Sequence, residues 1–170
     1  ELEENSLELI NYAKNKNWII IVITNQSGIS KGLLTWENYQ LVTNKMISLL
    51  GEVNPFHGIY ANSELDNLKD NNWRKPSPNM IIEASFDFPI DIQKSLIIGD
   101  RLTDIQAGAR AGLKNAFHVF KGHGIKERPL ISKFIDSKGT FFDSEFSIKL
   151  NLIDNLKNFP KQYISAEGIN

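Results

Sequence analysis

The chain has 170 residues, a length that suits one domain able to bury about 70% of its unfolded surface. Hydrophobic residues make up 41% and charged residues 23%, near the globular average, which excludes a disordered or fibrous chain. A formal net charge of -1, from 19 basic and 20 acidic residues, leaves no global electrostatic footprint for nucleic acid or an anionic membrane.

There are no cysteines, so disulfides, thiolate zinc sites and cysteine nucleophiles are excluded. No apolar run approaches the length of a membrane span and no basic-then-apolar start is present, so a cytoplasmic location is the default expectation. The opening Glu-Leu-Glu-Glu-Asn already reads as the approach to a helix and lacks an initiator Met, which suggests a chain that begins partway through a longer one.

Ser6 is placed to cap a helix carrying Leu7, Leu9, Ile10 and Ala13 and ending near Asn17. Trp18 to Ile23 is an unbroken apolar run rich in β-branched residues, which reads as a strand buried on both faces. Thr35 starts a second helix whose apolar positions Trp36, Tyr39, Val42, Met46 and Leu49 recur at three or four residues and stop at Gly51. These side chains are expected to pack the core. His57 to Ala61 reads as a short strand and residues 62–73 as a polar surface loop.

After Pro76 and Pro78, Met80 to Ala84 looks helical, and Ser95 to Ile98 is a second short buried strand. Thr103 to Ala111 is an alanine-rich helix with Gly112 as its stop. Ala116 to Phe120 and Thr140 to Phe142 give two more strands, and Ile148 to Leu156 a last helix. Strands alternating with helices predict a parallel α/β sheet covered on both faces within one domain spanning residues 1–170.

Three polar clusters fall just beyond strand ends, where open parallel sheets place their sites. Thr24-Asn25-Gln26-Ser27-Gly28 offers a hydroxyl, amides and backbone N–H groups suited to an oxyanion; an ordinary strand-end turn uses the same residues. Arg74 and Lys75, fixed by Pro76, could clamp a phosphoryl group, or form a solvated basic pair. Asp100 and Asp104 could offer hard oxygens to Mg²⁺, or cap the helix they precede. His57, His118 and His123 show no metal-ligand spacing and read as strand or loop residues. Lys121, Gly122 and Gly124 read as a plain turn.

Taken in order, IIIVITNQSGISKGLLTWENY, RKPSPNMI and SLIIGDRLTDIQAGARAGL resemble the second, third and fourth motifs of the haloacid dehalogenase (HAD) superfamily of phosphatases. The wording is most similar to the D,D-heptose 1,7-bisphosphate phosphatase and histidinol-phosphate phosphatase branch. The resemblance implies a cap-less, three-layer Rossmann-like parallel sheet and a Mg²⁺-dependent phosphomonoesterase working through a phosphoaspartate. It implies that Thr24 and Asn25 bind phosphoryl oxygens, with Gln26, Ser27 and the loop to Gly32 shaping the substrate end. Lys75 would balance charge on the nucleophile, and Arg74 would contact substrate phosphate. Asp100 would complete the Mg²⁺ shell, Arg101 would stand where that branch usually has lysine, and Asp104 would be the second acid of the motif.

Two departures stand out. The zinc loop usual in that branch needs three cysteines and a histidine, and residues 61–73 contain neither type, so no zinc is expected. The first motif, an apolar strand ending in Asp-x-Asp-Gly, is absent from the sequence, and Phe86-Asp87-Phe88-Pro89 supplies only one carboxylate. In the sheet the resemblance implies, that strand lies between those at 18–23 and 95–98. Without it these neighbours would stand about 10 Å apart instead of pairing at about 4.8 Å. The expectation is therefore a longer natural chain, with roughly 30–40 further residues supplying a strand and its connection, and no turnover by the chain as given.

The expected substrate is a small sugar phosphate, foremost heptose 1,7-bisphosphate, with a monomeric enzyme and no nucleic-acid or membrane partner. Histidinol-phosphate phosphatase, polynucleotide 3′-phosphatase and an inactive phosphate-binding domain are the alternatives.

Overall fold

The computed structural model describes residues 2–51, 53–65 and 72–164. Helix α1 (Ser6–Asn15) leads to strand β1 (Ile21–Asn25), a single turn α2 (Ser27–Ser30) and helix α3 (Trp36–Leu50). Strand β2 (Gly58–Asn62), helix α4 (Asn79–Asp87), strand β3 (Leu96–Gly99) and helix α5 (Leu102–Ala111) follow. Strand β4 (Asn115–Val119), helix α6 (Gly124–Ile131) and strands β5 (Thr140–Asp143) and β6 (Phe146–Ile153) complete the order, with short 3₁₀ turns near the end.

The strands form two sheets. β1 pairs with β2 in parallel, from Ile21 opposite Gly58 to Asn25 opposite Asn62. The other sheet has the order β3-β4-β6-β5, parallel except for the antiparallel β5–β6 hairpin. β1 and β3 make no ladder with each other. Their facing edges instead line a cavity of about 1200 Å³, walled by Ile20 to Ile23 on one side and Leu96 to Ile98 on the other. The two strands are thus separated by a cavity and are not paired directly. It also explains why β1, expected to be buried on both faces, is only half-buried along its length.

Side-chain alternation along the strands divides the core between two faces. Ala116 of β4 packs with Ile105 and Ala109 of α5 and with Ile148 and Leu150 of β6. Its neighbours Phe117 and Val119 point the other way, onto Leu9 and Ala13 of α1, with Ile153 and Phe159. A third, smaller cluster joins Tyr60 of β2 to Met80 and Ala84 of α4. There the Tyr60 hydroxyl donates to Asp87 Oδ2 at 2.6 Å, so Asp87 lies in a structural contact.

Four readings from the sequence change. The helix expected at Ile148 to Leu156 is strand β6: Ile148 and Leu150 alternate inward while Lys149 stays out, the period of two that a strand requires. Ser6 does not cap α1; the N-cap position falls on Asn5, left-handed and without a side-chain capping bond, and the Ser6 hydroxyl donates to the Glu3 carbonyl. Helix α6 was not foreseen, because it carries Pro129 and no apolar stripe. Helix α3 begins where expected, with Thr35 and Asn38 forming a capping box and Gly51 at its end, yet its apolar stripe is not core. Only Thr43 and Leu50 are buried, and Val42 is 68% exposed; Trp36 stacks edge-on with Tyr39 instead. Half of the loop expected at 62–73 lies outside the described residues. No helix among the described residues is long and apolar enough to cross a membrane.

Ile148 and Leu152, four residues apart, share a face in a strand as in a helix, yet they are 2% and 41% exposed. Urea unfolding is expected to show a loss of about 2–5 kcal/mol for Ile148→Ala and under about 1 kcal/mol for Leu152→Ala.

Burial, with the hydrogen bond to Asp87 adding to it, pushes the Tyr60 phenol up to about 12. Its contribution to stability is therefore complete below the ordinary tyrosine value of about 10 and is lost as pH rises through about 12. Alkaline titration followed by absorbance should show this late ionisation, and Tyr60→Phe should abolish it.

Candidate active site

The carboxyl ends of β1 and β3 open at the same end of the cavity, and the polar clusters gather there. Thr24, Lys75, Gly99, Asp100 and Asp104 all border it. Lys75, 10% exposed, donates from Nζ to the Ile23 carbonyl of β1 at 3.0 Å and pairs with Asp104 Oδ1 at 2.6 Å. Its peptide bond to Pro76 is cis.

Asn25 takes a different part from the expected one. Its side-chain Nδ2 donates to the Lys75 carbonyl at 3.1 Å, and its Oδ1 accepts from Lys75 N at 3.0 Å. Both polar atoms of the amide thus hold the Lys75 backbone. Thr24 Oγ1 accepts from Gln26 Nε2 at 2.9 Å, Gln26 N donates to the Asn62 carbonyl, and Ser27 opens α2. Arg74 donates from Nη1 to the Glu64 carbonyl at 3.0 Å and its backbone N–H donates to Asn72 Oδ1. Arg74 and Lys75 are therefore built into the fold and are not a solvated basic pair.

Asp100 and Asp104 also separate in function. Asp104, 7% exposed on its side chain, accepts from Arg101 N through Oδ2 at 3.0 Å, so the capping reading holds for it alongside its ion pair. A Cβ on Gly99 would lie 2.3 Å from that Oδ2, so only glycine lets α5 approach the strand end so closely. Asp100 is 38% exposed on its side chain. Its Oδ2 accepts from His123 N at 2.8 Å and lies 3.2 Å from His123 Nδ1. Gly122 closes over the carboxylate with φ +54°, where a Cβ would stand 2.6 Å from Oδ2. Arg101 turns outward, 3.8 Å from Glu127 Oε1, while Glu127 Oε2 accepts from Leu102 N at 2.6 Å.

Three contributors lay outside the sequence clusters: His123, which reaches Asp100 from the supposed plain turn, and the pair His118 and Arg128 behind it. Burial, with the Arg128 guanidinium second, holds the His118 imidazole below its ordinary range. Nothing in their spacing signals this, because they meet only through the β3–β4 pairing. His57 is structural, its Nδ1 accepting from Ile20 N.

One carboxylate, that of Asp100, stands at the cavity mouth without a lysine partner, and no group of three or more His, Asp or Glu gathers among the described residues. Asp100 could hold a divalent cation, but the described residues do not complete a site for one.

An open α/β sheet with a buried lysine, an amide clasp and an aspartate at the ends of two facing strands defines the class, and comparison with known proteins agrees. The family model described as HAD-hydrolase-like matches residues 72–124. The D-glycero-alpha-D-manno-heptose-1,7-bisphosphate 7-phosphatase of Photorhabdus laumondii is 41% identical over 115 residues, 64% of this chain and 63% of its own. The D-glycero-beta-D-manno-heptose-1,7-bisphosphate 7-phosphatase of Pasteurella multocida is 30% identical over 130 residues, 73% of this chain and 71% of its own. The crystal structure of D,D-heptose 1,7-bisphosphate phosphatase from B. bronchiseptica, complexed with magnesium and phosphate, superposes with a TM-score of 0.74 at 23% identity, covering 94% of this chain and 81% of that one. That likeness shows the fold. The chain belongs to the HAD superfamily of hydrolases, in the branch of the heptose-1,7-bisphosphate 7-phosphatases. It spans 49% to 64% of the length of four such relatives.

Replacing Asp104 by Asn leaves the Lys75 ammonium buried beside a neutral amide. Thermal or urea unfolding is expected to show a loss of about 3–5 kcal/mol. Lys75→Met combined with Asp104→Leu should recover part of it, since both charges are then gone.

Proposed function

We propose that this chain is the larger part of a single-domain, metal-dependent sugar-phosphate phosphatase acting on heptose 1,7-bisphosphate. The observation that carries the reading is Lys75, a buried ammonium fixed at the shared carboxyl end of β1 and β3. An attacking carboxylate and a phosphoryl group arriving at that point would both have their charge balanced by it. Thr24 and the backbone N–H groups beyond β1 would receive phosphoryl oxygens, and Asn25 would keep Lys75 in place. Arg74 would meet substrate phosphate, and Arg101, on the outer side beside Glu127, would meet the part of the substrate that projects from the cavity.

Asp100 would be one Mg²⁺ ligand, with further carboxylates coming from outside the described residues; such an ion, when bound, offsets charge on phosphate oxygens. The nucleophile would sit on a segment, outside the given sequence, that pairs with both edges of the cavity. The names of relatives at 30–41% identity support the heptose substrate. The cytoplasmic, monomeric reading belongs to the same proposal. A second reading, a phosphate-binding domain without turnover, is favoured by the lack of Asp-x-Asp in the sequence.

The test is a substrate panel on the full natural gene product with Mg²⁺: heptose 1,7-bisphosphate, histidinol phosphate and a 3′-phosphorylated oligonucleotide. Phosphate release from the first is expected, with Lys75→Met lowering kcat by about 100-fold or more, and none from the 170-residue chain alone. Release from another member only would reassign the substrate. No release from any would favour the binding domain.

A further inference from the structure

His118 is the one fully buried histidine, 0% exposed, and none of the roles above uses it. It sits in β4 opposite Gly99 of β3. Arg128 Nε donates to its Nδ1 at 3.3 Å, and its Nε2 lies 3.2 Å from the Asp100 carbonyl. A guanidinium has donors and no acceptor. Nδ1 must therefore accept, the ring proton belongs on Nε2, and Nε2–H donates to the Asp100 carbonyl.

Arg128 is itself held from several sides. It donates through Nη2 to the His118 carbonyl at 2.7 Å and to the Ile153 carbonyl, and through Nη1 to Asp154 Oδ1 at 3.5 Å. Its guanidinium carbon lies 4.8 Å from the Phe120 ring centre. One α6 side chain thus joins the carboxyl ends of β4 and β6 and fixes the imidazole between them.

We propose that His118 and Arg128 are positioning residues for Asp100: Arg128 holds the His118 ring in its Nε2–H form, and that N–H holds the Asp100 backbone so that the carboxylate stays at the cavity mouth. The consequence for metal binding rests on the reading of Asp100 as a Mg²⁺ ligand; the tautomer does not. The device fits a strand end that would otherwise depend on the glycine-containing 121–124 loop alone. It also gives a reason for a polar ring at a fully buried position.

Long-range ¹H–¹⁵N NMR of the imidazole in the full natural protein is expected to show a single neutral Nε2–H tautomer. The Nδ1–H form or a mixture overturns the proposal. In steady-state assays His118→Leu is expected to raise the apparent KM for Mg²⁺ about 10-fold, the low end for residues that orient a metal ligand, and to leave the KM for sugar phosphate unchanged. His118→Gln, whose amide N–H can take the place of Nε2–H, should restore most of that loss. An unchanged Mg²⁺ KM in His118→Leu overturns the proposal, and so does an equal rise in His118→Gln, which a purely structural role would produce.

If His118→Leu does not fold, Arg128→Met keeps the ring and carries the test: a mixed tautomer population is expected, and an unchanged single tautomer overturns the role of Arg128. Absence of phosphatase activity in the wild-type protein would sink the functional reading and leave the tautomer result standing.

Discussion

The Lys75 ammonium ties together two parts of the molecule that no strand ladder joins. It reaches the Ile23 carbonyl on β1 and the Asp104 carboxylate on α5, which packs against β3. Burying an ammonium costs several kcal/mol unless its protons find partners, so the surrounding residues are arranged to supply them. Asn25 fixes the lysine backbone with both ends of its amide, Gly99 leaves room for Asp104, and Asp104 is held by the Arg101 N–H. Loss of any one of these leaves the others holding a poorly compensated charge, which is why the site and the stability of the β1–β3 junction are hard to separate.

The same end of the second sheet carries a further layer of polar contacts. α6 supplies Glu127 to the start of α5 and Arg128 to the ends of β4 and β6, while the 121–124 loop closes on Asp100. The amino end of β3 carries a smaller set, with Asp91 accepting from Gln93 N and Gln93 donating to the Gly112 carbonyl, and the core between is apolar on both faces. Polar side chains are therefore concentrated where backbone N–H groups and helix starts already favour anions. A site built there needs few additional charges to bind a phosphoryl group.

How much of this could be read from the sequence depended on how local each cause was. The β1 and β3 runs, the Thr35 cap and the Gly112 stop follow from neighbouring residues and lie where the pattern puts them, within a residue or a few. SIKLNLI in β6 carries both a helical and a period-two reading, and its pairing with β4, a non-local event, decides for the strand. The apolar stripe of α3 is legible but not its exposure, since burial depends on what packs against a helix. In the site, Lys75, Asp100 and Asp104 stand in recognisable motifs. The Asn25 clasp spans 50 residues and the Asp100–His118 contact 18, and neither leaves a local mark.

The cavity between the sheets has a polarity of its own. Its walls are aliphatic along the strands and polar at both ends, with Thr24, Lys75, Asp100 and Asp104 at one and Asp91, Lys94 and Ser95 at the other. A segment that paired with both edges would have to be extended, apolar on both faces and about five residues long to match β1. Running parallel to its neighbours, it would deliver its next residue beside the Lys75–Asp104 ion pair, where an acidic side chain would meet a second buried acid as well as the cation. The fold therefore sets where that residue would stand, because strand pairing fixes its position, and there it would share the Lys75 ammonium with Asp104.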